Sequence, residues 1–353
     1  MTRRTSKKTP SPANVQAMER LGITVPFAGV PLSAHRSWFA EARAAGYTDA
    51  WSAEVDGTDG FTPLALAAAW EPDLRLGLAV APAFTRGPAL LAQSVAAMAE
   101  AAPGRFAFGL GTSSDVIVEQ WNGIAFDRPF ARARDTLAFL RLALSGARVA
   151  ADFETFSVHG FRLARPVTAP PPLYLAALRP GMLRLAGKMA DGVILNWLSA
   201  DDVATSLEEV RAGVESSEDG QSGDPARHVV ARIFVVAEAD ASLARAVARR
   251  LIAAYLSVPA YAALHRWLGR GPLLQPMWDA WNLGDRKSAL AAIPDEVVDA
   301  LVVHGDPGDC RAHVARYVQQ GVTVPVLMVV TAESDLRGAV MGLARELAGD
   351  LER

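Results

Sequence analysis

Short apolar runs alternate along the chain with longer segments in which apolar residues recur at helical spacing. This alternation predicts strands and helices in strict succession. The run at 75–81 is almost continuously apolar, which is typical of a strand buried on both faces. Strands are predicted at 21–27, 48–54, 75–81, 105–111, 172–177, 192–196, 228–236 and 324–330, with helices at 33–45, 62–70, 88–102, 128–144, 181–189, about 201–215 and 335–351.

Eight strands that alternate with helices predict an α/β fold, a closed (β/α)8 TIM barrel with insertions. A doubly wound open sheet is the alternative, but a dinucleotide-binding version would need a GxGxxG motif after its first strand. No such motif follows residue 27. The barrel is therefore the favoured interpretation.

The domain organisation follows from the same pattern. Residues 1–14 are predicted to be a disordered tail, and 15–353 a single barrel domain. A hairpin insert is predicted at about 148–168, with its turn at His159 and Gly160. Residues 240–303 are predicted to be mostly helical with an aromatic break at 271–284, and about 255–303 to form a helical insert.

Composition narrows the functional classes. The 353 residues are 51% apolar and 21% charged with a net charge of −3, which excludes a disordered chain and disfavours an electrostatic nucleic-acid binder. A single cysteine, Cys310, excludes a disulfide framework, and no HxH or HExxH pair indicates a metal. Without a long apolar run or a secretory leader, neither a membrane span nor export is expected, so a cytoplasmic protein is predicted.

In parallel barrels the chemistry lies at the C-terminal ends of the strands. Glu54 ends the second predicted strand and could give or take a proton; the alternative is a salt bridge or a helix cap. Thr112 and Ser113 follow the fourth strand and suit ring heteroatoms or phosphate oxygens; the alternative is an ordinary cap. Arg179 precedes a helix and could pair with an anion, or could be a plain surface arginine.

Aromatic side chains near the same strand ends suggest a pocket for a flat ligand. Ordinary core or interface packing is the alternative for each. The candidates for a substrate pocket are Phe27, Trp121 and Trp197 near strand ends, together with Trp278 from the tryptophan cluster of the late helical insert.

Four motifs, in this order and spacing, resemble the bacterial luciferase-like superfamily, in its branch of deazaflavin-dependent oxidoreductases. They are Leu76–Gln93, Pro103–Ser114, Val118–Gly123 and Pro172–Gly187. The resemblance covers about residues 20–330. It implies a luciferase-like TIM barrel, a homodimer and a small-molecule substrate.

The resemblance also implies a set of cofactor contacts. A non-proline cis peptide, matched here by Ala79–Val80, would form a bulge against one face of the cofactor ring. Thr112 and Ser113 would contact the cofactor, and further contacts carry over to the ends of the fifth and sixth predicted strands at Ala176, Ala177 and Asn196.

The implied activity is hydride transfer between coenzyme F-420 (F420) and an organic substrate, with Glu54 as the polar group nearest the reaction. One branch of the family, which oxidises sugar phosphates, has a histidine at the position of Glu54 and a glutamate at that of Ser114, so its substrate and histidine-based mechanism are not implied. The alternatives are an FMN-dependent monooxygenase and a barrel that binds flavin without turnover. The identity of the substrate and the direction of hydride transfer are left open.

Overall fold

The computed structural model describes residues 19–217, 226, 228–238, 240–332 and 335–348, so the predicted tail at 1–14 lies outside it. The strands are β1 Gly22–Val25, β2 Asp49–Ser52, β3 Arg75–Pro82, β4 Phe106–Gly111, β5 Val149–Asp152, β6 Ser157–Phe161, β7 Leu173–Ala176, β8 Gly192–Asn196, β9 Val229–Val236, β10 Val302–His304 and β11 Val324–Val330. The helices are α1 His35–Ala45, α2 Phe61–Trp70, α3 Pro88–Ala101, α4 Pro129–Leu144, α5 Pro180–Met189, α6 Asp202–Glu215, α7 Ala241–Leu256, α8 Pro259–Trp267, α9 Gly271–Asn282, α10 Arg286–Ala291, α11 Asp295–Leu301, α12 Pro307–Gln319 and α13 Leu336–Ala348.

Eight parallel strands close into a barrel in the order β1, β2, β3, β4, β7, β8, β9 and β11, and β11 pairs back with β1. The helices between the strands cover the outside, so the fold is a (β/α)8 TIM barrel, as predicted. All eight predicted barrel strands are confirmed within two residues at each end. The short strand β10, which the pattern did not predict, adds to β9 alongside the barrel.

Large side chains fill the N-terminal half of the barrel interior. Trp51 is 2% exposed and packs with Tyr174, Ile194 and Val230. Its indole lies over Gly77 of the neighbouring strand β3, which has no side chain. A Cβ atom at Gly77 would stand only 2.2 Å from Cε3 of Trp51. The barrel therefore has a solid floor, and space for a ligand remains only at the C-terminal mouth.

The hairpin insert exists, but its turn was predicted at the wrong place. The turn lies at 153–156, between β5 and β6, and Gly160 lies inside β6 with φ of 85°. The Asp135 carboxylate of α4 fixes the turn, because its Oδ2 accepts hydrogen bonds from both the backbone N–H and the hydroxyl of Thr155. A contact 20 residues away thus overrides the local preference of glycine for a turn.

Five consecutive helices, α7 to α11, stand between β9 and β10. The aromatic break predicted at 271–284 is wrong, because α9 runs through it from Gly271 to Asn282 with Pro276 inside. Leu274, Met277 and Trp278 are buried in the core of these helices, and this packing outweighs the proline. The predicted start of the helical insert, about residue 255, falls at the end of α7.

A buried polar network fastens the insert to the barrel. Arg270, which precedes α9, donates to the Ser199 hydroxyl and forms an ion pair with Asp202 at the start of α6, both at 2.8 Å. His265 of α8 is fully buried next to this network. Burial, followed by the positive charge of Arg270, lowers the pKa of His265 to about 4.

The floor of the barrel gives a first prediction. Gly77→Ala should lower the free energy of unfolding by about 1–3 kcal/mol, because the added methyl group must displace the Trp51 ring. Urea denaturation measures this. Gly57→Ala is the matched control, since nothing lies within 4 Å of a Cβ atom there; equal stability of the two variants would contradict the packing argument.

A second prediction concerns acid stability. Between about pH 6.5 and pH 4 the unfolded chain binds a proton at His265 that the folded chain does not bind, so stability must fall as the pH falls through this window. The loss attributable to His265 should reach about 3 kcal/mol at pH 4. Denaturation of wild type and His265→Phe across this range should show a shallower dependence in the variant, and identical slopes would refute the assignment.

Candidate functional site

A cleft of about 740 Å3 opens at the C-terminal mouth of the barrel. The ends of β4 and β7, the start of α5 and one face of α8 form its walls. Its lining residues are Thr112, Ser113, Ser114, Asp115, Phe126, Pro129, Phe130, Ala176, Leu178, Arg179, Pro180, Gly181, Met182, Val258, Pro259, Ala260, Ala263 and Trp267. The volume lies within the range of small-molecule and cofactor sites.

A bulge projects into the barrel mouth from β3. The pairing of β3 with β4 shifts between Leu78 and Ala81, which leaves one extra residue on β3. The Ala79–Val80 peptide is cis, so this prediction is confirmed. Val80 packs against β4 where there is no side chain, because a Cβ atom at Gly111 would stand 2.4 Å from Cγ2 of Val80. Its carbonyl accepts a hydrogen bond from the Glu54 N–H at 3.2 Å.

One corner of the cleft is suited to an anion. No side chain caps α5, so the N–H groups of its first turn face the cleft without a side-chain partner. Arg179 stands at the N-cap position with an exposed side chain, and Thr112 and Ser113 line the same cleft. Ser113 adopts φ of 64°, a left-handed conformation that is uncommon outside glycine. Helix N-termini with an adjacent arginine are typical phosphate and carboxylate sites.

Glu54 lies two residues beyond the C-terminal end of β2, and both of its carboxylate oxygens have partners. Oε1 accepts from the Gly60 N–H at 2.9 Å, and Oε2 pairs with Arg86. The Arg86 guanidinium also stands over the Phe61 ring. The salt bridge that was the alternative interpretation is thus present, and the catalytic role of Glu54 stays a prediction.

Three strands point polar side chains into the barrel mouth with atoms that lack partners. Among the buried side-chain atoms without a hydrogen bond in the described residues are three that follow the inner face of the barrel strands: Oγ1 of Thr24 on β1, Oδ1 of Asn196 on β8 and Nε of Arg232 on β9. Asn196 and Arg232 are direct neighbours in the sheet. Buried polar atoms are normally paired in a folded protein, so three such atoms in one mouth indicate a place where a ligand supplies the partners.

Tyr261 of α8 closes over these residues from the insert. The Asn196 amide nitrogen donates to its hydroxyl at 2.8 Å, which leaves the phenol proton available for another acceptor. Burial is the main cause that raises the pKa of Tyr261 to about 12, and Arg232 opposes the shift. The phenol therefore stays protonated at neutral pH and can act as a hydrogen-bond or proton donor.

The four aromatic residues predicted for a substrate pocket do not line this cleft. Phe27 and Trp278 are 3% and 4% exposed within packed clusters, and Trp197 is 1% exposed. Trp197 stacks on Phe234 with ring centroids 4.0 Å apart. Trp121 is 54% exposed on a π-helical turn. Phe27, Trp197 and Trp278 are thus packed in the core. A role in a substrate pocket stays a prediction for all four residues.

The remaining predicted cofactor contacts divide into two groups. Ala79 and Ala176 lie on the barrel's inner face, and Ala176 also lines the cleft. Ala177 is 2% exposed, belongs to the outer core and donates its N–H to the Ile194 carbonyl. Its neighbour Ala176 is thus better placed to meet a ligand.

No group of three or more His, Cys, Asp or Glu side chains within the described residues could hold a metal ion. No helix in the same part of the chain is both long and apolar enough to cross a membrane.

Three residues of this mouth were missed by sequence reasoning. Arg232 had a signal, because a charged residue interrupts the apolar strand Val229–Val236. Thr24 gave a weaker signal of the same kind, because a polar residue interrupts the otherwise apolar strand β1. Tyr261 had none, since only the folding of the insert brings it to Asn196.

The geometry defines a class of protein: a parallel barrel with a filled floor, a bulged third strand and a mouth that suits a flat anionic ligand. The sequence comparisons agree with this class. Residues 12–324 match the luciferase-like monooxygenase family. A 5,10-methylenetetrahydromethanopterin reductase of Methanolobus tindarius is 26% identical over 294 residues, which cover 82% of this chain and 87% of that protein.

Solved structures show the same fold. The coenzyme F420 dependent tetrahydromethanopterin reductase from Methanopyrus kandleri matches with a TM-score of 0.77 and 19% identity, covering 94% of this chain and 99% of that one. An F420-dependent secondary alcohol dehydrogenase, in complex with an F420–acetone adduct, matches with a TM-score of 0.72 and 12% identity over 93% and 98% of the two chains. This chain belongs to the luciferase-like monooxygenase family and is an oxidoreductase.

Proposed function

We propose that this protein transfers hydride between coenzyme F420 and a small organic substrate. One observation supports the proposal most. The anion corner at Arg179 and α5 adjoins an apolar wall at Ala176 in the same cleft, and the mouth of the barrel also holds the Val80 bulge. The name of the Methanolobus tindarius relative, a reductase, supports the same class of reaction. Two of the similar solved structures are of F420-dependent enzymes.

The residues present fit this cofactor. The first-turn N–H groups of α5 and Arg179, with the Thr112 and Ser113 hydroxyls, would hold its anionic tail. Val80 and Ala176, which both belong to the barrel-interior cluster, would meet the flat ring. The unpartnered Oδ1 of Asn196 offers an acceptor to a ring N–H or a substrate hydroxyl.

When bound, the deazaflavin supplies two-electron hydride transfer at its carbon 5, and the protein's part is to orient, shield and handle the proton. A ketone that gains hydride at its carbonyl carbon also gains a proton at its oxygen, and an alcohol that loses hydride also loses its hydroxyl proton. Tyr261, protonated and held by Asn196, can donate to the ketone oxygen. We also propose the catalytic role of Glu54, which is 12% exposed at the edge of the bulge.

An FMN-dependent monooxygenase is the second candidate. It has a specific basis, because two monooxygenase structures match this fold with TM-scores of 0.65. The same anion corner could hold a flavin phosphate. We favour the deazaflavin because the Methanolobus tindarius relative, 26% identical over most of both chains, is named as a reductase and not as a monooxygenase. A barrel that binds flavin without turnover would have no use for a protonated tyrosine directed into its mouth.

A third prediction tests the cofactor and the anion corner together. Purified protein should bind coenzyme F420 at micromolar concentration and more tightly than FMN, as followed by quenching of tryptophan fluorescence. Arg179→Ala should weaken F420 binding about tenfold or more, because a charge-assisted contact to the tail is lost.

Arg184→Ala is the matched control for that titration. It removes the same charge from the same helix, but Arg184 is paired with Glu209 at 2.7 Å on the outside of the barrel. Its F420 affinity should equal that of wild type. Binding of FMN alone would overturn the proposed cofactor, and equal weakening by both arginine variants would overturn the anion corner.

A fourth prediction concerns Glu54. Glu54→Gln should lower kcat at least tenfold with F420 affinity nearly unchanged, if the carboxylate moves a proton. The assay is the return of the oxidised deazaflavin absorbance when reduced F420 is mixed with a panel of ketones and unsaturated carboxylates.

Arg86→Gln separates catalysis from structure in the same assay. It breaks the same ion pair but keeps the carboxylate. It should therefore retain most of the activity. Full activity of Glu54→Gln, or equal losses in the two variants, would show that the ion pair is structural and that Glu54 is not catalytic.

A further inference from the structure

Arg232 places a positive charge inside the barrel mouth. It lies on β9, two residues beyond Val230, which packs in the barrel-interior cluster with Trp51 and Tyr174. Side chains alternate along a strand, so Arg232 and then Phe234 point to the same inner face. The side chain of Arg232 is half-buried.

No protein group neutralises this charge. Among the ion pairs of the described residues none includes Arg232, and its buried Nε has no hydrogen-bond partner. Other half-buried arginines of the chain behave differently: Arg86 pairs with Glu54, Arg270 pairs with Asp202, and Arg132 donates to the Ala83 and Thr155 carbonyls. Leaving a buried charged donor unpaired is costly, which suggests that its partner is a molecule that enters the mouth.

The surroundings of Arg232 select a flat anion. Its guanidinium carbon stands 5.0 Å from the centroid of the Phe234 ring, so that ring covers one side of the cation. Phe234 is itself held by Trp197 and Tyr255. An arginine supported in this way presents its N–H groups in a fixed fork that matches a carboxylate.

The position of β9 places this cation across the mouth from the bulge and two strands from the anion corner, which follows β7. In the closed barrel β9 stands four strands from β3 in either direction, so Arg232 faces the Val80 bulge across the mouth. Between β9 and the cleft wall at Ala176 lies only β8, with Asn196 beside Arg232 and Tyr261 bonded to Asn196. A ligand anchored at Arg232 therefore lies within the mouth and beside the phenol.

We propose that Arg232 anchors the substrate and that the substrate is a small carboxylate. This inference rests on the proposed function, because it assigns Arg179 and α5 to the cofactor and Arg232 to the substrate. The carboxylate is held on the β9 side, with the rest of the molecule between Val80 and Tyr261. The same arrangement explains how the barrel would reject neutral analogues, which would leave the guanidinium unpaired.

The test uses a matched pair of probes, benzoate and benzamide, which have nearly the same shape and differ in charge. Binding to the full-length protein is measured by calorimetry, with F420 titrated separately into each variant. Wild type should bind benzoate at least tenfold more tightly than benzamide. Arg232→Gln should lose this preference and keep its F420 affinity, and Arg232→Lys should keep part of the preference. Arg179→Gln should show the reverse: weaker F420 binding with the benzoate preference intact.

Several results would overturn the proposal. Equal binding of benzoate and benzamide to wild type would show that there is no anion site. An unchanged preference for benzoate in Arg232→Gln, with a native circular dichroism spectrum, would show that Arg232 does not form it. Loss of F420 affinity in Arg232→Gln would make Arg232 a cofactor ligand instead. Displacement of benzoate by an equal concentration of inorganic phosphate would remove the selectivity for carboxylates. If the protein prefers benzoate but does not bind F420, the carboxylate site would be supported and only the proposed function would be contradicted.

Discussion

The packing of Trp51 into the barrel interior is the constraint on which the rest of the site depends. Because β3 has glycine at position 77, the indole fills the N-terminal half of the barrel and leaves no channel through it. Every polar side chain that points inward above this floor must then be satisfied at the C-terminal mouth. Nearer the C-terminal mouth, Gly111 of β4 has no side chain and so leaves room for Val80 and the bulge of β3.

Above the floor, the mouth holds two arginines, one at its rim after β7 and one on the inner face of β9. Arg179 stands at the rim beside an uncapped helix, where an anionic tail can remain partly solvated. Arg232 is half-buried and lies against Phe234. The network of Arg270, Asp202 and Ser199 ties the insert to the barrel, and Tyr261 of that insert accepts a hydrogen bond from Asn196, the sheet neighbour of Arg232. Under the proposed function, a nearly neutral protein would bind two anions here without a basic surface.

The sequence predicted the barrel well because its strands carry strong local signals. Runs such as Val229–Val236 are apolar, short and bounded by turns. Their hydrophobic pattern and their length therefore both indicate a strand. Elements that tertiary contacts decide were predicted badly: the hairpin turn is fixed by Asp135, and α9 is held together by Met277 and Trp278 despite Pro276. The strand-end rule located Glu54, Ser113, Asn196 and Arg179 at the mouth. It did not foresee that Arg86 pairs with Glu54, and it passed over Arg232, which lies within a strand rather than after one.

Under the proposed function, one mouth holds the cofactor by its tail at α5 and by its ring at Val80, and leaves the β9 side to the substrate. A crystal structure of the protein with coenzyme F420 would test this arrangement. We expect electron density for the anionic tail between Arg179 and Thr112, for the ring against Val80, and none within hydrogen-bonding distance of Arg232. Density for the ring against Arg232, or for the tail outside the α5 corner, would contradict it.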